Sequence, residues 1–127
     1  MSVLPPLRLL VCGSRDYYDT NRMTSILCQI HEKRPVTFLC QGMARGADKM
    51  AHDWATMRGV PVEDYPVDTR IDGPWPAAGI RRNIRMGTLF KPNGAVAFFG
   101  PNYTGSGTMH MANWCKKNGV PIAEIWD

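Results

Sequence analysis

No apolar run in the sequence approaches the roughly 20 residues that a membrane-spanning helix needs. The most apolar short stretch, Leu7 to Cys12, is also too short for the core of a signal peptide, and no small-residue cleavage site follows it. Cysteine is scarce and scattered, at Cys12, Cys28, Cys40 and Cys115. There is no Cys-x-x-Cys and no Cys/His pair at zinc spacing, so no metal site is expected. A disulfide framework would suit a smaller, loop-rich secreted chain; buried reduced thiols in a cytoplasmic protein are expected instead. Internal repeats and low-complexity segments are absent. So are a Lys/Arg-rich tail, a recognition helix and an RNA-binding aromatic motif, which disfavours nucleic acid as a partner. The usual nucleotide fingerprints fail as well. No Gly-Lys-Ser/Thr follows Gly42 at Walker A spacing, and Gly105-Ser-Gly107 lacks the third glycine of Gly-x-Gly-x-x-Gly.

What is present is the composition of a globular core. Hydrophobic residues make up 44% and charged residues 20%, too apolar for a disordered chain. At 127 residues, a single domain over 1–127 is expected. Lys+Arg number 15 against 11 Asp+Glu, a net charge of +4, so the placement of the arginines matters.

The chain alternates short apolar runs with amphipathic stretches. Leu7–Cys12, Val36–Cys40, a short run from Val60, Gly94–Phe99 and Val120–Ile125 read as strands. Between the first two, Asp19-Thr-Asn-Arg22 offers helix N-caps, and Met23, Ile26, Leu27 and Ile30 follow at helical spacing until Pro35. Ala47, Met50, Ala51, Trp54 and Met57 share one face of a second helix, which Gly59 stops. Residues 67–76 read as a loop of about ten residues, long enough to suspect a functional role. A third helix is expected from about Ala78 to Leu89, and a fourth from about Thr108 to Lys117. Strands separated by single helices imply crossovers and an α/β fold: a Rossmann-like three-layer α/β/α sandwich with a five-stranded parallel sheet, order 3-2-1-4-5. Ligands in such sheets bind beyond the carboxyl ends of the strands, at the switch point between strands 1 and 4.

The loops at that edge are the informative ones. Gly13-Ser-Arg-Asp16 follows strand 1, Gly42-Met-Ala-Arg-Gly-Ala-Asp48 follows strand 2, and Gly100-Pro-Asn-Tyr-Thr-Gly-Ser-Gly-Thr108 follows strand 4. Each places glycine beside hydroxyl or guanidinium groups. Glycines let backbone amides approach an anion, and helix N-termini add free N–H donors with a favourable dipole. Arg15 and Arg45 lie in the first two loops, while Arg81, Arg82 and Arg85 crowd the start of the third helix. Arg82-Asn83 directly follows the long loop and is the better candidate for ligand contact, because arginine binds phosphate bidentately. The spacing thus nominates Gly13, Ser14, Arg15, Gly42, Arg45, Gly46, Asn83, Gly105, Ser106, Gly107 and Thr108 for ligand binding. Trp75, Tyr17, Tyr18 and Tyr103 are candidates for stacking on a base; Trp54 and Trp114 read as core or subunit contacts.

These segments resemble the SLOG superfamily of Rossmann-like nucleotide-binding proteins, and in particular its small YspA-like branch. The resemblance rests on the first two loops, on Trp54-Ala-Thr-Met-Arg-Gly-Val-Pro61, on Ala78-Gly-Ile-Arg-Arg-Asn-Ile-Arg-Met86 and on Gly105-Ser-Gly-Thr108. It implies a nucleotide or nucleotide-derived ligand at the edge already inferred, and no further cofactor. The related LOG-type enzymes hydrolyse the N-glycosidic bond of nucleoside monophosphates, using a Pro-Gly-Gly-x-Gly-Thr-x-x-Glu motif whose glutamate is catalytic. Gly107-Thr108 matches its Gly-Thr, but the glutamate position holds Met111. Their Arg-Lys-x-x-Met corresponds to Arg82-Asn-Ile-Arg-Met86, with the arginine kept and the lysine replaced.

Glycoside hydrolysis wants a carboxylate, and methionine supplies none. Two readings follow. An N-glycosidase or phosphoribohydrolase would draw its carboxylate from Asp48 or Asp16, acting with Arg82. A sensor or sequestering protein would hold a nucleotide signal, such as an NAD-derived one, intact. Asp48 could equally cap the second helix, Asp16 could brace a loop arginine, and His110 could donate to a phosphate or act as an acid or base. Self-association as a dimer or tetramer is common in the resembled superfamily and is expected here.

Overall fold

The computed structural model describes residues 5–101 and 106–126. Five strands, β1 (Leu7–Gly13), β2 (Val36–Gln41), β3 (Val62–Asp64), β4 (Gly94–Phe99) and β5 (Ile122–Trp126), form one sheet in the order β3-β2-β1-β4-β5. Every neighbouring pair is parallel. This is the Rossmann-like order that the alternation of strands and helices implies. The helices are α1 (Thr20–Lys33), α2 (Ala47–Arg58), α3 (Thr69–Asp72), α4 (Ala78–Phe90) and α5 (Ser106–Lys117).

The period of two along a strand divides the core between the two sheet faces. Leu7, Leu9 and Val11 of β1 join Val96 and Phe98 of β4 against Met23 and Leu27 of α1 and Ala51 and Trp54 of α2. Leu10 and Cys12 join Ala95, Ala97 and Phe99 against Met86 and Phe90 of α4 and Met111 and Cys115 of α5. All six residues of β4 are buried, as a central parallel strand covered on both faces requires. The four cysteines are free thiols; Cys12, Cys40 and Cys115 are buried and Cys28 is half-buried. No described helix is long and apolar enough to cross a membrane.

Three sequence expectations need correction. The segment 67–76 is not a continuous loop, because α3 forms within it. The Asp68 side chain caps that helix by accepting from the Arg70 N–H, and Asp72 is buried, accepting from the Asp68 N–H and from Arg85. Met57 is 86% exposed, because α2 turns its Ala51–Ala55 line to the sheet and Met57 falls roughly a third of a turn away. Tyr17 is buried against Phe98, with ring centroids 5.2 Å apart, and so belongs to the core.

α4 and α5 cover one face side by side, and a glycine sets their approach. A Cβ on Gly87 would lie 2.4 Å from the Trp114 indole of α5. In an open helix, Gly→Ala gains up to about 1 kcal/mol. Here Gly87→Ala should instead destabilise the fold by about 1–3 kcal/mol through overpacking. Urea unfolding of the variant alone and combined with Trp114→Leu checks this. The smaller partner should recover part of the loss, and a stabilised single variant would refute the close approach.

Candidate functional site

Beyond the carboxyl ends of β1 and β2 the chain encloses a pocket of about 800 Å³. The β1 loop supplies Gly13, Ser14, Arg15 and Asp16 to it, and the β2 loop and first turn of α2 supply Ala44, Arg45 and Asp48. Gly107 and Thr108 open α5 into the same space, and Arg82 and Asn83 enter it from α4. Ten of the fifteen residues singled out by sequence thus meet at one cavity.

Ser14 ties these segments together. Its N–H donates to the Phe98 carbonyl at 2.9 Å, and its hydroxyl accepts from the Gly100 N–H at 3.1 Å. Its carbonyl accepts from the N–H groups of Tyr17 and Ala47. One buried serine therefore fixes the ends of β1 and β4 and the start of α2.

Arg82 is the second anchor. One guanidinium nitrogen donates to the Gly42 carbonyl and, at 3.0 Å, to the Tyr65 carbonyl. Its Nε donates to Asn83 Oδ1 at 3.1 Å, and Asn83 Nδ2 donates to the Gly107 carbonyl at 3.1 Å. Asn83 therefore braces Arg82 to the first turn of α5. Gly42 leaves room for this contact, since a Cβ there would lie 2.5 Å from the guanidinium. Gly46 has φ +80° and packs on the Ser14 and Arg15 carbonyls, a position only glycine takes without strain. Gly42 and Gly46 thus back the pocket and do not line it.

Asp48 carries the unusual electrostatics. It is 5% exposed and lies in the first turn of α2, while Gly46 occupies the N-cap, so Asp48 is not the cap. Its Oδ2 accepts from the Ala44 N–H at 3.3 Å; its Oδ1 is buried with no hydrogen-bond partner among the described residues. Burial pushes the carboxyl up to about 6, although the Arg82 guanidinium and the Ala44 and Gly42 amides pull it down. The same burial lowers Arg82, and the Asp48 and Asp72 carboxylates raise it again. A carboxyl that titrates near neutrality inside a pocket suits proton transfer and ligand recognition.

Arg15 and Arg45 are exposed, and neither makes an ion pair among the described residues, so the pocket keeps free positive charge. Asp16 is exposed, with its carboxylate packed close over Gly100. Arg85 is committed elsewhere: it holds Asp72 through two bonds of 2.9 Å and the Pro66 carbonyl at 3.0 Å, tying α3 to α4. That pair holds the Asp72 carboxyl below its usual range.

Other sequence candidates lie apart. His110 does not line the pocket, and its Nδ1 is buried without a partner among the described residues. Met111 is wholly buried in the core between α4, α5 and the sheet, so the position that holds glutamate in the resembled enzymes does not face the cavity. Tyr18 is exposed outside the pocket. Gly105 and Tyr103 lie outside the described residues, and Ser106 opens α5 with its side chain outside them as well. Sequence reasoning missed Cys12, Ile80 and Met86 as lining residues, because apolar residues at core spacing carry no signal that distinguishes a pocket floor from a core.

A family model described as YspA, cpYpsA-related SLOG family matches residues 7–71, from β1 into α3. Among solved structures, the chain is similar to DNA processing protein A (DprA) from Streptococcus pneumoniae, at 13% identity and a TM-score of 0.56. That likeness covers 93% of this chain and 58% of the other, and at such low identity it speaks to the fold alone. No curated protein sequence matches.

The raised carboxyl has a measurable consequence. A carboxylate whose folded value lies above its unfolded one binds more protons when folded, so its ionisation lowers stability as pH rises between about 4 and 6. Asp48→Asn removes that cost. The variant should be more stable than the parent at pH 7, by about 2 kcal/mol, with the gain gone by about pH 4. Thermal unfolding across that range checks it; a variant less stable at pH 7 would mean that the carboxylate serves the fold by pairing with Arg82.

Proposed function

The chain belongs to the YspA, cpYpsA-related SLOG family, and from that premise we propose that its pocket binds a nucleotide or nucleotide-derived ligand. The observation that carries this reading is the meeting of exposed Arg15 and Arg45, Gly107 and Thr108 of the first turn of α5 and the buried, half-unpartnered Asp48 in one cavity. In this reading the phosphate sits against Gly107, Thr108 and the free arginines. Helix N–H donors and guanidinium groups are the matched partners of a doubly charged oxyanion. The ribose reaches inward, toward the Asp48 carboxyl that lines the cavity, which would accept from a sugar hydroxyl.

A second reading, hydrolysis of the N-glycosidic bond, is favoured by Asp48 itself. The α5 position that would hold a catalytic glutamate is Met111 in the core, so the carboxylate must come from another element. Asp48 is buried, lines the cavity and ionises near pH 6. In its ionised form it would draw a proton from water attacking the anomeric carbon, or stabilise the oxocarbenium-like transition state. The bond to the base breaks, the base leaves with a proton, and a ribose phosphate remains. Arg82, held beside Asp48 by Gly42 and Tyr65, would keep the carboxylate oriented. Asp16 is the exposed alternative.

The test is incubation of the pure protein with a panel of nucleoside monophosphates and NAD-derived nucleotides, following both free base and retained ligand. Retention of an intact nucleotide without base release supports binding and ends the hydrolase reading. Base release that rises with pH through about 6, and falls at least 100-fold in Asp48→Asn, supports hydrolysis. If no nucleotide is retained or turned over, the pocket does not serve nucleotides.

A further inference from the structure

The polar contributions to the pocket come from the loops after β1 and β2, from Arg82 and Asn83 of α4 and from the start of α5. The remaining wall has a different chemistry: Trp75, Pro76, Ala77, Gly79 and Ile80, from the approach to α4 and its first turn. Trp75 is the unusual member. Indole rings are generally well buried, yet Trp75 is 56% exposed, and Ile80 beside it is 39% exposed. The ring is nonetheless confined. Pro74 and Pro76 flank it and limit its backbone. Its six-membered ring also rests near Gly79, 3.5 Å from where a Cβ on that glycine would stand. A large flat apolar surface is thus held at the wall of a cavity whose other walls carry free arginines.

We infer that Trp75 is the base-recognition residue of this site, a shelf on which the planar heterocycle of an anionic nucleotide stacks. This rests on the reading of the pocket as a nucleotide site and adds to it which side selects the base. An anion alone would need only the Arg15, Arg45 and α5 side. A ligand that uses both sides must join a phosphate to a flat aromatic group, and indole–base stacking tolerates any base because each presents a π-face. The consequence is selection for nucleotides over sugar phosphates, with modest preference among bases.

The experiment compares AMP, GMP, CMP and UMP with ribose 5-phosphate by calorimetry, on the parent, Trp75→Ala and Trp75→Phe. Stacking worth about 1–3 kcal/mol corresponds to a preference of about 5- to 150-fold for the nucleotides over the sugar phosphate in the parent. Trp75→Ala should erase that preference and leave ribose 5-phosphate affinity as it was; Trp75→Phe should keep part of it. Nucleotide binding should also quench tryptophan fluorescence in the parent and do so less in both variants.

Three outcomes overturn the shelf while leaving the nucleotide site standing. They are a parent that binds both ligand types equally, an undiminished nucleotide preference in Trp75→Ala, and an equal loss for both ligand types in that variant. The last, with a smaller particle mass in light scattering, would make Trp75 a contact between copies of the chain. A parent that binds neither nucleotides nor ribose 5-phosphate overturns the nucleotide reading itself, and the shelf with it.

Discussion

Arg82 is the constraint on which the site depends. Its guanidinium reaches from α4 to the carbonyls of Gly42 and Tyr65, beyond the ends of β2 and β3, and so joins an element of one layer to the edge of the sheet. Buried polar groups need partners, and Arg82 satisfies two backbone carbonyls that the strand ends leave open. Its presence also makes a buried Asp48 tolerable, since an isolated carboxylate there would face the full cost of desolvation. Asn83 extends the same network to α5. One cation thus ties the helix to the sheet edge and offsets part of the rise that burial gives the cavity's carboxyl.

The fold was legible because its cues are local. Short apolar runs closed by glycine, separated by amphipathic helices, leave few topologies for a parallel sheet, and the observed order is among them. The candidate site was legible for the same reason: Gly13–Asp16, Gly42–Asp48 and Gly107–Thr108 follow strands, and strand ends of a parallel sheet share one edge. What sequence could not supply was relation across the chain. Tyr17 sits in a ligand-edge loop, but its ring turns into the core against Phe98. The fate of Arg85 depended on Asp72, and that of Arg82 on the Gly42 carbonyl; neither pairing has a sequence signature. Asp68 and Asp72 did carry a local clue to α3, a capping residue four positions before a second acid, yet the prolines and glycine around them spoke for a loop.

Met111 occupies a core place where the resembled enzymes hold a carboxylate, and Asp48 brings the only buried carboxylate to the described wall of this cavity. A buried group with a raised pKa costs stability, and such groups cluster at functional sites. Asp72, by contrast, lies buried with its pKa held down by Arg85, as a structural carboxylate should. The two buried aspartates differ in whether a partner satisfies them.

The knot at Ser14 bears on how such a site can diverge. Because the loop after β1, the start of α2 and Gly100 after β4 all fasten to one residue, none of these points can shift without disturbing the others. The approach to α4 is fastened differently, through Asp72 and Arg85 outside that knot. Variation in ligand preference is therefore cheapest there. On the proposed reading, the chain is an anion cradle with one exchangeable wall, and relatives that read different molecules should differ first around Trp75.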